Sequence, residues 1–252
     1  MKFAPNLELI FTEHESMIDR IRAAHSLGFE FVEFWMTSHL PVDEMAATLK
    51  ELGMSASSVL AEPRTNFTLP GTDLEPFRAG LKLSMENAQK LGASRVVVGS
   101  GIGFPGKKRQ PQLDLLIEVY SEAVKLAETM GITLVLEPVN TRVDHPGALL
   151  DRTSEGIYIA KGVNSPNFKI LYDVYHSTVE GEDPLNIIKT EGQWIDYIQL
   201  ADAPGRGEPG SGKIDWKPVL NAIAASGYSG PVGLEYYPTK ESASSLEHIS
   251  SL

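Results

Sequence analysis

Four apolar stretches, each ending in an oxygen-bearing side chain, constrain this chain more than any other feature of it. Ile132 to Asn140 (ITLVLEPVN) runs through apolar, partly β-branched residues and stops at Glu137 and Pro138. That is the pattern of a buried strand delivering a carboxylate at its carboxyl end. Pro138, which has no N–H, then ends the ladder. Phe168 to Asp173 (FKILYD), Ile195 to Gln199 (IDYIQ) and Pro231 to Glu235 (PVGLE) repeat the design. The polar ends lie 36, 26 and 36 residues apart, each about one strand-and-helix unit. Four strands therefore aim Glu137, Asp173, Gln199 and Glu235 at one place.

The remainder of the chain has the same rhythm. Strands are expected at Phe3–Phe11, Phe29–Trp35, Met54–Leu60 and Ser94–Gly99. Between them, Thr12 and Glu15 have capping-box spacing for a helix with Met17, Ile21, Ala24 and Leu27 on its inner face. Further helices are expected at Val42–Leu52, Asp73–Leu91, Pro111–Met130, Asp151–Gly162, Pro184–Thr190 and Trp216–Ser226, with the tail Lys240–Leu252 as an eighth. A glycine follows Leu or Met just ahead of a strand at Gly28, Gly53, Gly92 and Gly131, where a helix can end left-handed. Eight strands alternating with helices predict a parallel sheet, closed most simply into a single (β/α)8 TIM barrel over residues 1–252. An open doubly wound sheet is the alternative. The barrel is favoured because only closure brings the ends of strands five to eight onto one axial site.

Composition narrows the function. With 33 acidic and 22 basic residues the net charge is −11, which repels a phosphate backbone over most of the surface, so no nucleic-acid partner is expected. The absence of cysteine excludes a thiolate metal site and a cysteine nucleophile. It is compatible with the cytoplasm, as is an amino terminus broken by Pro5, Asn6 and Glu8. No window is apolar enough for a membrane span, so no membrane partner is expected.

Three carboxylates and an amide oxygen suit a hard divalent cation, Mg²⁺ or Mn²⁺, with Glu137, Asp173, Gln199 and Glu235 as ligands. Two of the carboxylates, Glu137 and Glu235, can also act in turn on a hydroxy-carbonyl compound. One takes a proton from carbon and the other returns one, through an enediolate. His176, three residues past Asp173, is expected at a substrate oxygen, or as a further ligand. Arg206, on a loop shaped by prolines and glycines, is expected on a substrate carboxylate. Glu208 on the same loop and Arg142 past Glu137 are further candidates for substrate contact. The expected partner is a small sugar or oxo acid.

These motifs resemble the hydroxypyruvate isomerase family, within the wider xylose-isomerase-like barrels that include ketose 3-epimerases. The resemblance runs from Ala4-Pro5-Asn6-Leu7 through Phe29–Phe34. It is strongest in Glu137-Pro138-Val139-Asn140-Thr141-Arg142, Tyr172-Asp173-Val174-Tyr175-His176, the Gln199–Gly212 loop and Gly233-Leu234-Glu235-Tyr236. It implies a divalent metal on Glu137, Asp173, Gln199 and Glu235, a Glu137/Glu235 acid–base pair, and interconversion of hydroxypyruvate and tartronate semialdehyde or chemistry on a related short sugar. The chain departs from the family at Trp35-Met36-Thr37-Ser38-His39 and in a short loop after strand three, both of which can line the pocket. Competing readings are a metal-assisted lyase or hydrolase, a nuclease included, and a noncatalytic sugar-acid binding barrel. The presence of both Glu137 and Glu235 argues against the last.

Other signals carry less. Gly101 to Lys107 has a phosphate-loop skeleton, but Lys108 stands where Ser or Thr would be needed. The stretch Gly101–Arg109 is read as a mobile barrel loop whose Lys107, Lys108 and Arg109 can draw in an anion. Phe34, Trp35 and Phe67 can wall a small pocket, with Glu33 and His39 behind the site. Asp144-His145 is read as a polar loop. The short last helix leaves apolar surface for a homo-oligomer.

Overall fold

A computed structural model of the chain describes residues 1–247 and 249. The strands are β1 (Phe3–Pro5), β2 (Phe31–Val32), β3 (Ser55–Ala56), β4 (Val59–Leu60), β5 (Arg95–Gly99), β6 (Thr133–Glu137), β7 (Phe168–Asp173), β8 (Ile195–Leu200) and β9 (Val232–Leu234). All pair in parallel, in the order β1-β9-β8-β7-β6-β5-β4, with β2 on β3. β3 and β4 are two halves of one barrel strand broken at Ser57-Ser58, the first half pairing with β2 and the second with β5. The remaining seam closes at a bridge between Asn6 and Glu33, where Leu7 N donates to Glu33 O and Glu33 N to Pro5 O at 3.0 and 2.9 Å. The sheet is thus a closed barrel, and the open doubly wound alternative is overturned.

Around it lie α1 (Met17–Ser26), α2 (Val42–Leu52), α3 (Glu75–Leu91), α4 (Arg109–Met130), α5 (Thr153–Val163), α6 (Val174–Glu180), α7 (Pro184–Glu191), α8 (Trp216–Ala225) and α9 (Ser242–Glu247). No helix among the described residues is long and apolar enough to cross a membrane. Gly28, Gly53, Gly92 and Gly131 all have left-handed φ, between 66° and 84°. At Gly92 the need is also one of space, because an added Cβ would sit 3.0 Å from Ser55 Oγ.

Local differences from the expected elements have local causes. The first strand ends at Pro5, and Leu7–Phe11 is a buried turn. α1 is capped not at Thr12 but at Ser16, whose Oγ accepts from Asp19 N at 3.0 Å. Leu27 lies past the helix end and is exposed. α6 follows β7 without a break, because the last strand residue, Asp173, is also the helix N-cap. Of the expected tail helix, 242–247 is helical and Leu246 and Ile249 are buried in the core; positions 248 and 250–252 lie outside the described residues.

The core has two compartments. Most apolar side chains pack between sheet and helices, while Val97, Val135, Leu171 and Tyr197 form a separate plug inside the barrel. Side chains alternate along a strand. The residues two positions further on, Gly99, Glu137, Asp173 and Gln199, therefore face the same interior above the plug, with Gly99 the register partner of Glu137 and Asp173 that of Gln199.

Candidate active site

Above that plug opens a cavity of about 550 Å³, walled by Glu33, Glu137, His176, Gln199, Arg206 and Glu235 among others. Asp173 is buried just off the wall. Its Oδ1 caps α6 by accepting from Tyr175 N and His176 N at 2.7 and 3.3 Å. Its Oδ2 has no hydrogen-bond partner among the described residues. Ligand atoms of Glu137, Asp173 and His176 lie within 4.8 Å of one another, close enough to share a cation.

The orientation of His176 follows from its neighbours. Asn140 N, which can only donate, reaches Nδ1 at 3.2 Å, so in the neutral ring the proton sits on Nε2. Burial and the Arg206 charge hold this histidine well below its ordinary pKa and keep it neutral. Nε2 is unpartnered and 3.7 Å from both Glu137 Oε1 and Asp173 Oδ2. A histidine that ligates a metal normally donates from its other nitrogen; here that nitrogen accepts. The geometry therefore equips His176 as a hydrogen-bond donor to an oxygen in the cavity.

Gln199 supplies the third oxygen. Its Nε2 donates to Glu33 Oε1 at 2.7 Å, leaving Oε1 buried without a partner. Glu33 is itself held by Tyr197 Oη at 2.5 Å and Asn6 Nδ2 at 2.9 Å. Three donors on one carboxylate leave the Gln199 amide a single way round. This cluster needs a glycine opposite, since a Cβ on Gly233 would stand 2.4 Å from Glu33 Oε2. Unpaired buried oxygens on Asp173 and Gln199 beside Glu137 fit a hard cation, because each forfeits solvation without one.

Glu235 stands apart from that group. Its Oε1 accepts from Trp35 Nε1 at 3.0 Å and Arg206 Nη2 at 3.1 Å, and no hydrogen bond reaches Oε2 among the described residues. Arg206 is stacked between Tyr175 and Tyr237, 5.3 and 6.0 Å from the ring centres. Burial opposes its charge, but the Glu235, Asp173 and Glu137 carboxylates outweigh this and raise its pKa. Two of the expected substrate contacts have other partners. Glu208 lies off the cavity wall and accepts from Thr239 N and Oγ1 at 2.9 and 2.6 Å, fixing the loop that carries Arg206. Arg142 is half exposed and its Nε pairs with Glu180 at 3.1 Å. Lys107 and Lys108 are exposed and off the wall, while Arg109 is tied to Asp151 and Glu155 at 2.5 Å. Gly101 and Gly103 are bonded across to Leu149 and Gly147.

Several wall residues escape a reading of strand ends. Asp144 and His145 come to the wall although no strand carries them, because Asn140 gathers their loop, with Nδ2 at 2.6 Å from Asp144 Oδ2. Glu33 turns inward by the alternation of its strand, and Arg64 reaches the wall from the short loop after β4. Asp202 is buried and holds the 202–216 loop through Ala203 N, Gly210 N, Ile214 N and Trp216 Nε1, all within 3.1 Å.

The crowded carboxylates set a pH dependence. Burial, then repulsion from Glu235, raises Glu33 to about 8 against hydrogen bonds from Tyr197, Asn6 and Gln199. Burial raises Asp173 to about 7, partly offset by Arg206. Burial and the neighbouring acids Glu235 and Asp173 push Glu137 well above its ordinary value. An acid whose folded pKa is raised makes the native chain bind more protons than the unfolded one. Stability then falls as pH rises from about 4.5 towards about 8. The thermal midpoint of metal-free protein is expected to drop across that window, and saturating Mn²⁺ to flatten the drop; equal slopes with and without the ion would contradict this reading of the cluster.

The model of the xylose isomerase-like TIM barrel family matches residues 21–252. The 2-oxo-tetronate isomerase of Cupriavidus necator is 31% identical over 97% of this chain and 96% of its own. The hydroxypyruvate isomerase of Escherichia coli is 30% identical over 94% of each chain. The crystal structure of an AP endonuclease, family 2, from Brucella melitensis superposes with a TM-score of 0.92 at 28% identity, covering 99% of this chain and 98% of that one.

Proposed function

The chain belongs to the xylose isomerase-like TIM barrel family, and from that premise we propose that it is a metal-dependent isomerase of a short 2-oxo or hydroxy acid. The reaction is the interconversion of hydroxypyruvate and tartronate semialdehyde, or of a 2-oxo-tetronate and its 3-oxo isomer. One observation carries the reading: Glu137 and Glu235, from strands separated by two others, open onto a single cavity.

Glu137, Asp173 and the Gln199 amide oxygen would hold the cation, while Glu235, which the sequence assigns as a fourth ligand, stands apart with Oε1 taken by Trp35 and Arg206. The ion, when bound, polarises the substrate oxygens and offsets negative charge developing on them. The rest is done by side chains. One of the two glutamates removes the proton from C3 of hydroxypyruvate to give the enediolate, and one returns a proton at C2, while the hydroxyl proton passes from O3 to O2. Trp35 and Arg206 hold Glu235 Oε1, which leaves Oε2 as its proton-transfer atom. His176 donates from Nε2 to a substrate oxygen. The aromatic wall, Trp35 and Phe67 included, keeps water from the reactive carbon.

Support comes from the two isomerase relatives of nearly equal length. Nuclease chemistry is disfavoured by the net charge of −11. Epimerisation would use the same glutamates, returning the proton to the carbon it left. A panel of hydroxypyruvate, four-carbon oxo acids, erythrulose and ketohexoses, assayed with Mn²⁺ or Mg²⁺ and an EDTA control, tests the proposal. Turnover of a short 2-oxo acid to its 3-oxo isomer, an aldehyde in the case of hydroxypyruvate, is expected. Turnover confined to C3 inversion of ketohexoses, or activity indifferent to EDTA, would refute it.

A further inference from the structure

The cavity wall carries four acids, Glu33, Glu137, Asp144 and Glu235, and two arginines, Arg64 and Arg206. Arg206 is the arginine that sequence places on a substrate carboxylate, but its guanidinium is taken up by Glu235 at 3.1 Å and stacked between two tyrosines. The two wall histidines do not add positive charge, because burial and Arg206 lower the pKa of both His145 and His176, with Arg64 adding to the effect at His145. Arg64 differs. Among the described residues it has no ion pair and no hydrogen bond, although acids surround the cavity it faces.

Its segment is tethered on both sides. The Glu62 carboxylate accepts from Thr37 N, Ser38 N and Ser38 Oγ at 2.8, 2.9 and 2.6 Å. Asn66 Oδ1 accepts from Ile102 N at 3.1 Å. The absent side chain of Gly101 lets that loop close in, since a Cβ there would stand 2.4 Å from Thr65 O. An unpaired guanidinium is thus presented at the cavity mouth by an anchored backbone, while its charge is felt at Glu235 and His145.

We propose that Arg64 is the carboxylate-recognition residue of this site, and that the enzyme selects short oxo or hydroxy acids over neutral ketoses of the same reacting carbons. The inference rests on the proposed isomerase reading and deepens it. A planar fork of N–H donors matches a carboxylate in a way that a lysine cannot fully replace. Because the carboxylate makes and breaks no bond as the proton moves from C3 to C2, Arg64 binds ground state and transition state alike, so its loss falls on KM.

The test compares the wild type with Arg64→Gln, Arg64→Lys and, as a control for charge away from the wall, Lys108→Gln. With hydroxypyruvate and erythrulose as probes, Arg64→Gln is expected to raise KM for the acid roughly 10- to 100-fold, the value of a charge-assisted hydrogen bond. The acid-to-ketose ratio of kcat/KM should fall by a similar factor. Arg64→Lys should recover part of it, and Lys108→Gln should leave the ratio where it was. Calorimetric binding of the two probes makes the comparison independent of turnover. A wild type that binds hydroxypyruvate through Arg64 without isomerising it would defeat the isomerase reading and uphold Arg64. A wild type that binds hydroxypyruvate no better than Arg64→Gln does, or an equal fall on both probes, overturns the proposal.

Discussion

Glu137→Gln and Glu235→Gln are each expected to lower kcat by about 10²–10⁴, the usual contribution of a positioned acid or base, without loss of the fold. The replacements are nearly isosteric, and neither glutamate holds the barrel together. Glu137 ends β6, where burial and the charges of Glu235 and Asp173 disfavour its carboxylate, so an amide there relieves repulsion. Glu235 accepts through Oε1 from Trp35 and Arg206, and a glutamine oxygen can accept from both. The loss should therefore appear in kcat, with the thermal midpoint level or raised in Glu137→Gln and lowered, with the fold retained, in Glu235→Gln, where buried Arg206 loses its paired charge. Two residues acting in sequence on one proton are not independent. The double variant should be little slower than the worse single one. A fully active double variant would remove both glutamates from the mechanism.

The second large effect concerns the cation. Mn²⁺ is expected to stabilise the wild type, by about 2.7 kcal/mol at a hundredfold excess over its dissociation constant. Asp173→Asn should abolish that gain together with activity. Asparagine can still accept from Tyr175 and His176 as the N-cap of α6, so the helix and His176 keep their places. What disappears is a charge that burial, with Glu235 adding to it, already disfavours, and the metal-free variant should melt no lower than metal-free wild type. Equal stabilisation of both proteins by Mn²⁺ would place the ion elsewhere.

Much of this was legible because strand periodicity is strict. Once β6, β7, β8 and β9 are identified by their apolar runs, alternation sends Glu137, Asp173, Gln199 and Glu235 inward, and the plug of Val135, Leu171 and Tyr197 beneath the first three has the same parity. Helix ends marked by glycine were equally readable. Side-chain commitments on loops were not. Arg206 and Glu208 share one loop, yet one turns to Glu235 and the other to Thr239, a choice made by the fold around Asp202 and not by local sequence. Asp144 and His145 reach the wall because Asn140 ties their loop, and Arg64 because Gly101 leaves room for the adjoining backbone of Thr65 and Asn66. Such contacts are long-range, and no spacing rule encodes them. The same holds for α6: a helix beginning on the last residue of a strand requires one aspartate to serve both, which the apolar pattern does not announce.

In the proposed reaction Glu137 and Glu235 carry a proton between adjacent carbons of a short oxo acid. Turnover of hydroxypyruvate in ²H₂O, followed by NMR with Mn²⁺ present, tests it most directly. Solvent deuterium should appear at C2 of the tartronate semialdehyde formed, and on reversal at C3 of hydroxypyruvate, at a rate that falls with kcat in the Glu137→Gln and Glu235→Gln proteins. Isomerisation at full rate with protium transferred intact and no deuterium at either carbon would contradict it.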